Sequence, residues 1–97
     1  MIAVIAKIPV KPEKKEEALN AVKKLMNHVS KEEDTVLHTL NIDERHPDTL
    51  VFIERYRDIH ALTRHGATPY FEKFMDKLFT LASGQLEISV LKEIDSI

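Results

Sequence analysis

Thr49-Leu50-Val51-Phe52-Ile53-Glu54-Arg55-Tyr56 is the run whose reading decides the fold. β-branched and aromatic residues fill it, and strict alternation sends Leu50, Phe52, Glu54 and Tyr56 to one face and Val51, Ile53 and Arg55 to the other. This is a strand with apolar residues on both faces. Just before it, His46-Pro47-Asp48 carries turn chemistry. Before that turn, Thr35 to Asp43 repeats the period of two, with Val36, His38, Leu40 and Ile42 on one side. The two runs read as the second and third strands of the chain.

Towards the N-terminus, the polar stretch Ser30 to Asp34 ends a helix. Its apolar stripe is Ala18, Leu19, Val22, Leu25, Met26 and Val29, and its charges fall mostly on the opposite side. Lys11-Pro12-Glu13 opens that helix, because proline is tolerated in a first turn and an acidic residue there suits the dipole. Ile2 to Val10 is a first strand, with Ile2, Val4, Ala6, Ile8 and Val10 on one face and Ala3 and Ile5 on the other.

Towards the C-terminus, Asp58 caps a short helix in which Ile59, Leu62 and His65 align, and Gly66 ends it. Thr68-Pro69 restarts a helix with Phe71, Phe74, Met75, Leu78 and Leu81 at helical spacing. Ser83-Gly84 breaks it. Leu86, Ile88 and Val90 then alternate with polar residues in a last strand that reaches about Ile94.

The order β-α-β-β-α-β defines an α+β, ferredoxin-like fold: an antiparallel four-stranded sheet with helices on one face. Residues 1–97 read as a single domain, because a chain of this length has room for one core. Helices on one side leave the other side of strands one and three uncovered, and the simplest cover is a second copy packed sheet to sheet. A homodimer, a dimeric α+β barrel, is therefore expected.

Composition narrows the function classes. With 43% hydrophobic and 31% charged residues, the chain is an ordered globular one. A net charge of -2 with interleaved signs provides no basic field, so no nucleic acid is expected as partner. The chain has no cysteine, which excludes disulfides and thiolate metal sites and is compatible with the cytoplasm. The apolar N-terminal run is too short to span a bilayer, so no membrane partner is expected. Two glycines cannot build a phosphate-cradling loop. His60 and His65 are five apart, on different sides of a helix, and no His-x-x-x-His motif occurs, so no metal site is expected from spacing.

The segment Phe52-Ile53-Glu54-Arg55-Tyr56-Arg57-Asp58, then Ala61-Leu62, His65 and Thr68-Pro69-Tyr70-Phe71, resembles the signature of the antibiotic biosynthesis monooxygenase family. In that family a strand ending Glu-x-(Tyr or Trp) leads into a helix bearing a His, then a Thr-Pro-His-Phe-like step. The chain departs twice. Asp34-Thr35 stands where Pro-Gly commonly precedes strand two, which changes a turn, and Tyr70 replaces the usual His, which removes a polar group near the site.

The resemblance implies oxygenation of a quinol or similar hydroxy-aromatic substrate by molecular oxygen, with no flavin, metal or other cofactor. Haem chemistry, found in some relatives, resembles this chain less. Those members carry an Asn in strand one, a Trp in strand three and an axial His in the second helix, where Ala6, Tyr56 and Phe74 stand here. Two alternatives remain open: a non-catalytic small-ligand-binding dimer, and an isomerase of a small keto-enol or phosphorylated metabolite. The isomerase would need Lys7 or Arg55 to point inward as a cationic anchor.

Cofactor-free oxygenation asks for an apolar pocket, a base and donors that hold an anion. Glu54 and Tyr56 share the face of Phe52, and a carboxylate among apolar neighbours should hold its proton to higher pH. His65, on the apolar side of its helix, is the alternative base. The expected catalytic set is His65, Glu54 and Tyr56, with Tyr56 orienting substrate. Phe52, Phe71, Phe74, Met75 and, more weakly, His38 are expected to line the substrate pocket. Each also has a plainer explanation: the aromatic stripe as core, the buried Glu as the partner of a cation, His65 as a satisfied core residue, and His38 as an edge residue in water.

Overall fold

A computed structural model describes residues 1–97. The elements are β1 (Ile2–Pro9), a 3-10 turn (Pro12–Lys14), α1 (Lys15–Val29), β2 (Thr35–Asp43), β3 (His46–Tyr56), α2 (Ile59–Gly66), α3 (Pro69–Leu81) and β4 (Glu87–Lys92). The strands form one antiparallel sheet in the order β2-β3-β1-β4. This is the ferredoxin-like arrangement expected from the element order.

The alternation read along the strands sets the layers. Val4, Ala6 and Ile8 of β1 and Leu50, Phe52, Glu54 and Tyr56 of β3 are buried beneath the helices. Ala18, Val22, Leu25 and Val29 of α1 and Phe74, Leu78 and Leu81 of α3 cover them. Each such aliphatic or aromatic side chain contributes roughly 1.5–3 kcal/mol when fully buried. On the opposite face Ile53, Leu37 and Leu91 remain exposed, and Arg55 pairs with Glu93 at 2.9 Å.

Three details differ from the sequence reading. First, β3 starts at His46, so His46-Pro47-Asp48 lies in the strand and not in a turn. The reversal is made by Glu44-Arg45, where the Arg45 amide donates to Asp43 Oδ1 at 2.9 Å. Proline is tolerated because the pairing jumps from Ile42↔Leu50 to Asp43↔His46, which leaves Pro47 in a bulge with no ladder bond to donate.

Second, α2 buries Ala61 and His65, whereas Ile59 is 50% exposed. The stripe runs at four-residue spacing, not three. The helix is capped by Asp58, whose carboxylate accepts from the Ala61 amide at 2.8 Å. It ends without a left-handed residue: Ala67 is right-handed and no glycine has positive φ. Thr68 makes the break by accepting from the Phe71 amide and donating to the His65 carbonyl at 2.8 Å. Third, β4 stops at Lys92, and Ile94 is exposed.

Candidate functional site

The β2–β3 register puts His38 opposite Glu54 and Leu40 opposite Phe52, all on the helix side of the sheet. Only a short connection separates Tyr56 from α2, so the last turn of α2 returns over the same strands and carries His65 onto them. His38 Nε2 stands 3.6 Å from Glu54 Oε1, with side chains 6% and 10% exposed. A nitrogen from each of the two imidazoles and one carboxylate oxygen of Glu54 all lie within 4.8 Å of one another. The plainer explanation of His38 as an edge residue in water does not hold, because its ring is packed against Phe52, Glu54 and His65.

Two carboxylates of opposite character flank this group. Burial pushes the Glu54 carboxyl above the usual range, partly offset by the hydrogen bond that Tyr56 Oη donates to Glu54 Oε1 and by the charge of His65. Burial also opposes ionisation of Glu32, but here the donors win: Tyr70 Oη, Thr35 Oγ1 at 2.7 Å and the His65 ring hold its carboxyl below the ordinary value. Glu32 faces His65 Nδ1 with both oxygens, at 3.0 and 3.1 Å. Burial, reinforced by the charge of His65, pushes His38 down to about 4, so its ring is neutral at neutral pH. Burial and the neighbouring Glu54 raise the Tyr56 phenol, which stays protonated as a donor.

A mostly apolar cavity of about 170 Å³ opens beside these groups. Of the residues expected at the site, His65, Glu54, Phe52, Phe71, Phe74, Met75 and His38 line it. Tyr56 does not. It is fully buried behind Glu54 with Val4 and Ala61, and its hydroxyl is taken up by the carboxylate. The expectation that Tyr56 touches and orients substrate is therefore corrected: it holds Glu54. Lys7 is exposed on the opposite face of the sheet and Arg55 is paired there, so neither points into the cavity.

Glu32 and Tyr70 were missed. The stretch Ser30 to Asp34 reads as a polar helix end, yet it supplies the carboxylate behind His65. Tyr70 does not remove a polar group from the site but donates to Glu32 and stacks on His28. Asp34, the first residue of the Asp34-Thr35 departure, binds Arg57 at 3.2 Å and Arg64 at 2.5 Å, tying this loop to α2. Topology held the signal: β2 runs antiparallel to β3, so the residues before Thr35 must lie beside Tyr56 and the start of α2.

The ferredoxin-like sheet thus carries a histidine–carboxylate cluster beside an apolar cavity. The model of the antibiotic biosynthesis monooxygenase family matches residues 1–77, and the chain belongs to that family. It is 34% identical over 88 residues to a Bacillus subtilis (strain 168) protein named "Putative monooxygenase YcnE", covering 91% of this chain and 93% of that one. It is 32% identical over 91 residues to the uncharacterized protein sll1783 of Synechocystis, covering 94% of this chain but 62% of that one. Among solved structures, a conserved protein from Methanosarcina mazei Go1 superposes with TM-score 0.93 at 28% identity, covering 96% of this chain and 92% of that one. An antibiotic biosynthesis monooxygenase superposes with TM-score 0.92 at 25% identity, covering 98% and 100%.

Proposed function

We propose that the chain is a monooxygenase that oxidises a quinol or similar hydroxy-aromatic substrate with molecular oxygen, without flavin or metal. The observation that carries this reading is the convergence of His65 and Glu54, with Phe52, Phe71 and Phe74, on one apolar cavity. His65, backed by Glu32, removes the hydroxyl proton of the substrate. Glu54, whose burial favours the protonated form, donates to the developing oxyanion. Tyr56 acts through Glu54.

The substrate anion passes one electron to oxygen, and the resulting radical pair collapses to a carbon–peroxide bond. Protonation and cleavage of the O–O bond leave one oxygen atom on the ring carbon and release the other as water. All four electrons come from the substrate, as in the conversion of an anthrone methylene to a quinone carbonyl. The proposal includes residues 1–97 as a single domain and a homodimer packed through the face of Ile53, Leu37 and Leu91, which are 41%, 38% and 44% exposed. It also places the protein in the cytoplasm; no helix is long and apolar enough to cross a membrane.

The isomerase alternative lacks the inward cation it requires, since Lys7 and Arg55 lie on the other face of the sheet. The test is oxygen uptake by EDTA-treated protein with menadiol or an anthrone. His65→Ala and Glu54→Ala should each lower the rate on the order of 100-fold, the usual contribution of a positioned acid or base. Equal uptake by wild type and both variants overturns the assignment. Tight binding of the aromatic without uptake would instead mark a non-catalytic ligand-binding dimer.

A further inference from the structure

His38, Glu54 and His65 come from β2, β3 and α2, and their donor atoms lie within 4.8 Å of one another. Donors bound at about 2.0–2.1 Å to a tetrahedral zinc ion stand roughly 3.3 Å apart. His38 Nε2 and Glu54 Oε1 already stand 3.6 Å apart, close to that separation.

The surroundings are those of ligands held ready for an ion. His65 Nδ1 faces both oxygens of Glu32, the carboxylate–histidine arrangement that fixes a ligating ring and, in the neutral ring, leaves the Nε2 lone pair free. Glu54 is oriented by the Tyr56 hydroxyl. His38 Nδ1 has no hydrogen-bond partner although its side chain is 6% exposed. The nitrogen of that ring offered to an ion is the other one, Nε2, which faces Glu54 at 3.6 Å.

We propose that His38, Glu54 and His65 bind one divalent transition-metal ion, zinc(II) foremost, and that the ion blocks the site by occupying the lone pairs the base chemistry needs. Two imidazoles and one carboxylate suit zinc and its first-row neighbours; magnesium and calcium take oxygen shells. Three protein ligands leave a fourth position open towards the apolar cavity. Ile88 and Val90, which flank that cavity, are 58% and 53% exposed and leave a route in from the β4 edge. The binding stands on the donor geometry alone; the block rests on the oxygenase proposal.

EDTA-treated protein titrated with cobalt(II) should develop visible d–d bands that saturate at one equivalent and vanish on adding zinc(II). His38→Gln should weaken binding about tenfold or more, and Glu32→Gln, at a residue that among the three ligands touches His65 alone, about 10–100-fold. Replacing the exposed His28, His46 and His60 together should leave the bands unchanged, with circular dichroism as the check that each variant folds. A featureless titration, or undiminished bands in folded His38→Gln, overturns the site. In the oxygen-uptake assay, one equivalent of zinc should suppress the rate and EDTA restore it; uptake undisturbed at cobalt-proven occupancy overturns the block. If the metal-free protein consumes no oxygen, the failure is that of the oxygenase proposal, and the cobalt titration still decides the metal site.

Discussion

Removing the Glu32 carboxylate tests the architecture of the site. In Glu32→Ala, His65 Nδ1, in a residue only 3% exposed, loses both oxygens that face it at 3.0 and 3.1 Å. A buried donor left without a partner costs about 1–3 kcal/mol. Thr35 and Tyr70 lose an acceptor as well, but both are partly exposed and water replaces much of it, which adds about 1 kcal/mol at most. The expected loss is about 1–4 kcal/mol, or a fall in Tm of roughly 5–20 °C for a domain of this size. Glu33→Ala is the control: Glu33 is exposed, and an exposed substitution of this kind stays within about 0.5 kcal/mol.

The loss should depend on pH in a definite direction. Glu32 has a folded pKa below its ordinary value of 4.5, so its contribution is complete above 4.5 and disappears as pH falls through the lower folded value. The gap between wild type and Glu32→Ala, measured by urea denaturation, should be widest near neutrality and narrow in acid. A Glu32→Ala protein within 0.5 kcal/mol of wild type at pH 7 would refute the reasoning.

Tyr56→Phe deletes the donor that holds the Glu54 pKa down, so Glu54 should titrate at still higher pH; the limb of the oxygen-uptake profile that reports Glu54 should move alkaline, and an unmoved profile counts against the pairing. His38, pushed down to about 4, should show an imidazole NMR shift that is flat from pH 8 to pH 5; a midpoint near 6.5 would contradict its burial. Because the unfolded state takes up that proton first, His38 should also make stability fall as pH drops from 6.5 towards 4, a slope absent in His38→Gln. Leu78→Ala, at a position 1% exposed beneath α3, should cost about 2–5 kcal/mol by calorimetry, and a cost under 1 kcal/mol would place Leu78 outside the core.

Element order and strand faces were legible in the sequence because they depend on local periodicity: Leu50, Phe52, Glu54 and Tyr56 alternate whatever lies above them. Glu54, His65, Phe52, Phe71, Phe74 and Met75 were placed on inward faces by the same logic, and the structure lines one cavity with them. The start of β3 was misread because Pro47 signals a turn locally, while a bulge against β2 lets it stay in the strand. Tyr56 shares its face with Glu54, yet periodicity could not tell that its hydroxyl is spent on the carboxylate behind the cavity wall.

Tertiary structure alone decided what sequence distance hides. Glu32 and His65 are 33 residues apart, and Glu32 and Tyr70 are 38 apart. They meet because β2 returns antiparallel beside β3 and α2 folds back over the edge they share. The same closure turns His38 from an edge residue into the neighbour of Glu54 and assembles two imidazoles and a carboxylate from three elements. No spacing rule for a single helix could display that group. The sequence determined which residues face inward; the register of the sheet and the path of α2 determined which inward-facing residues touch, since those contacts arise only when separate elements pack.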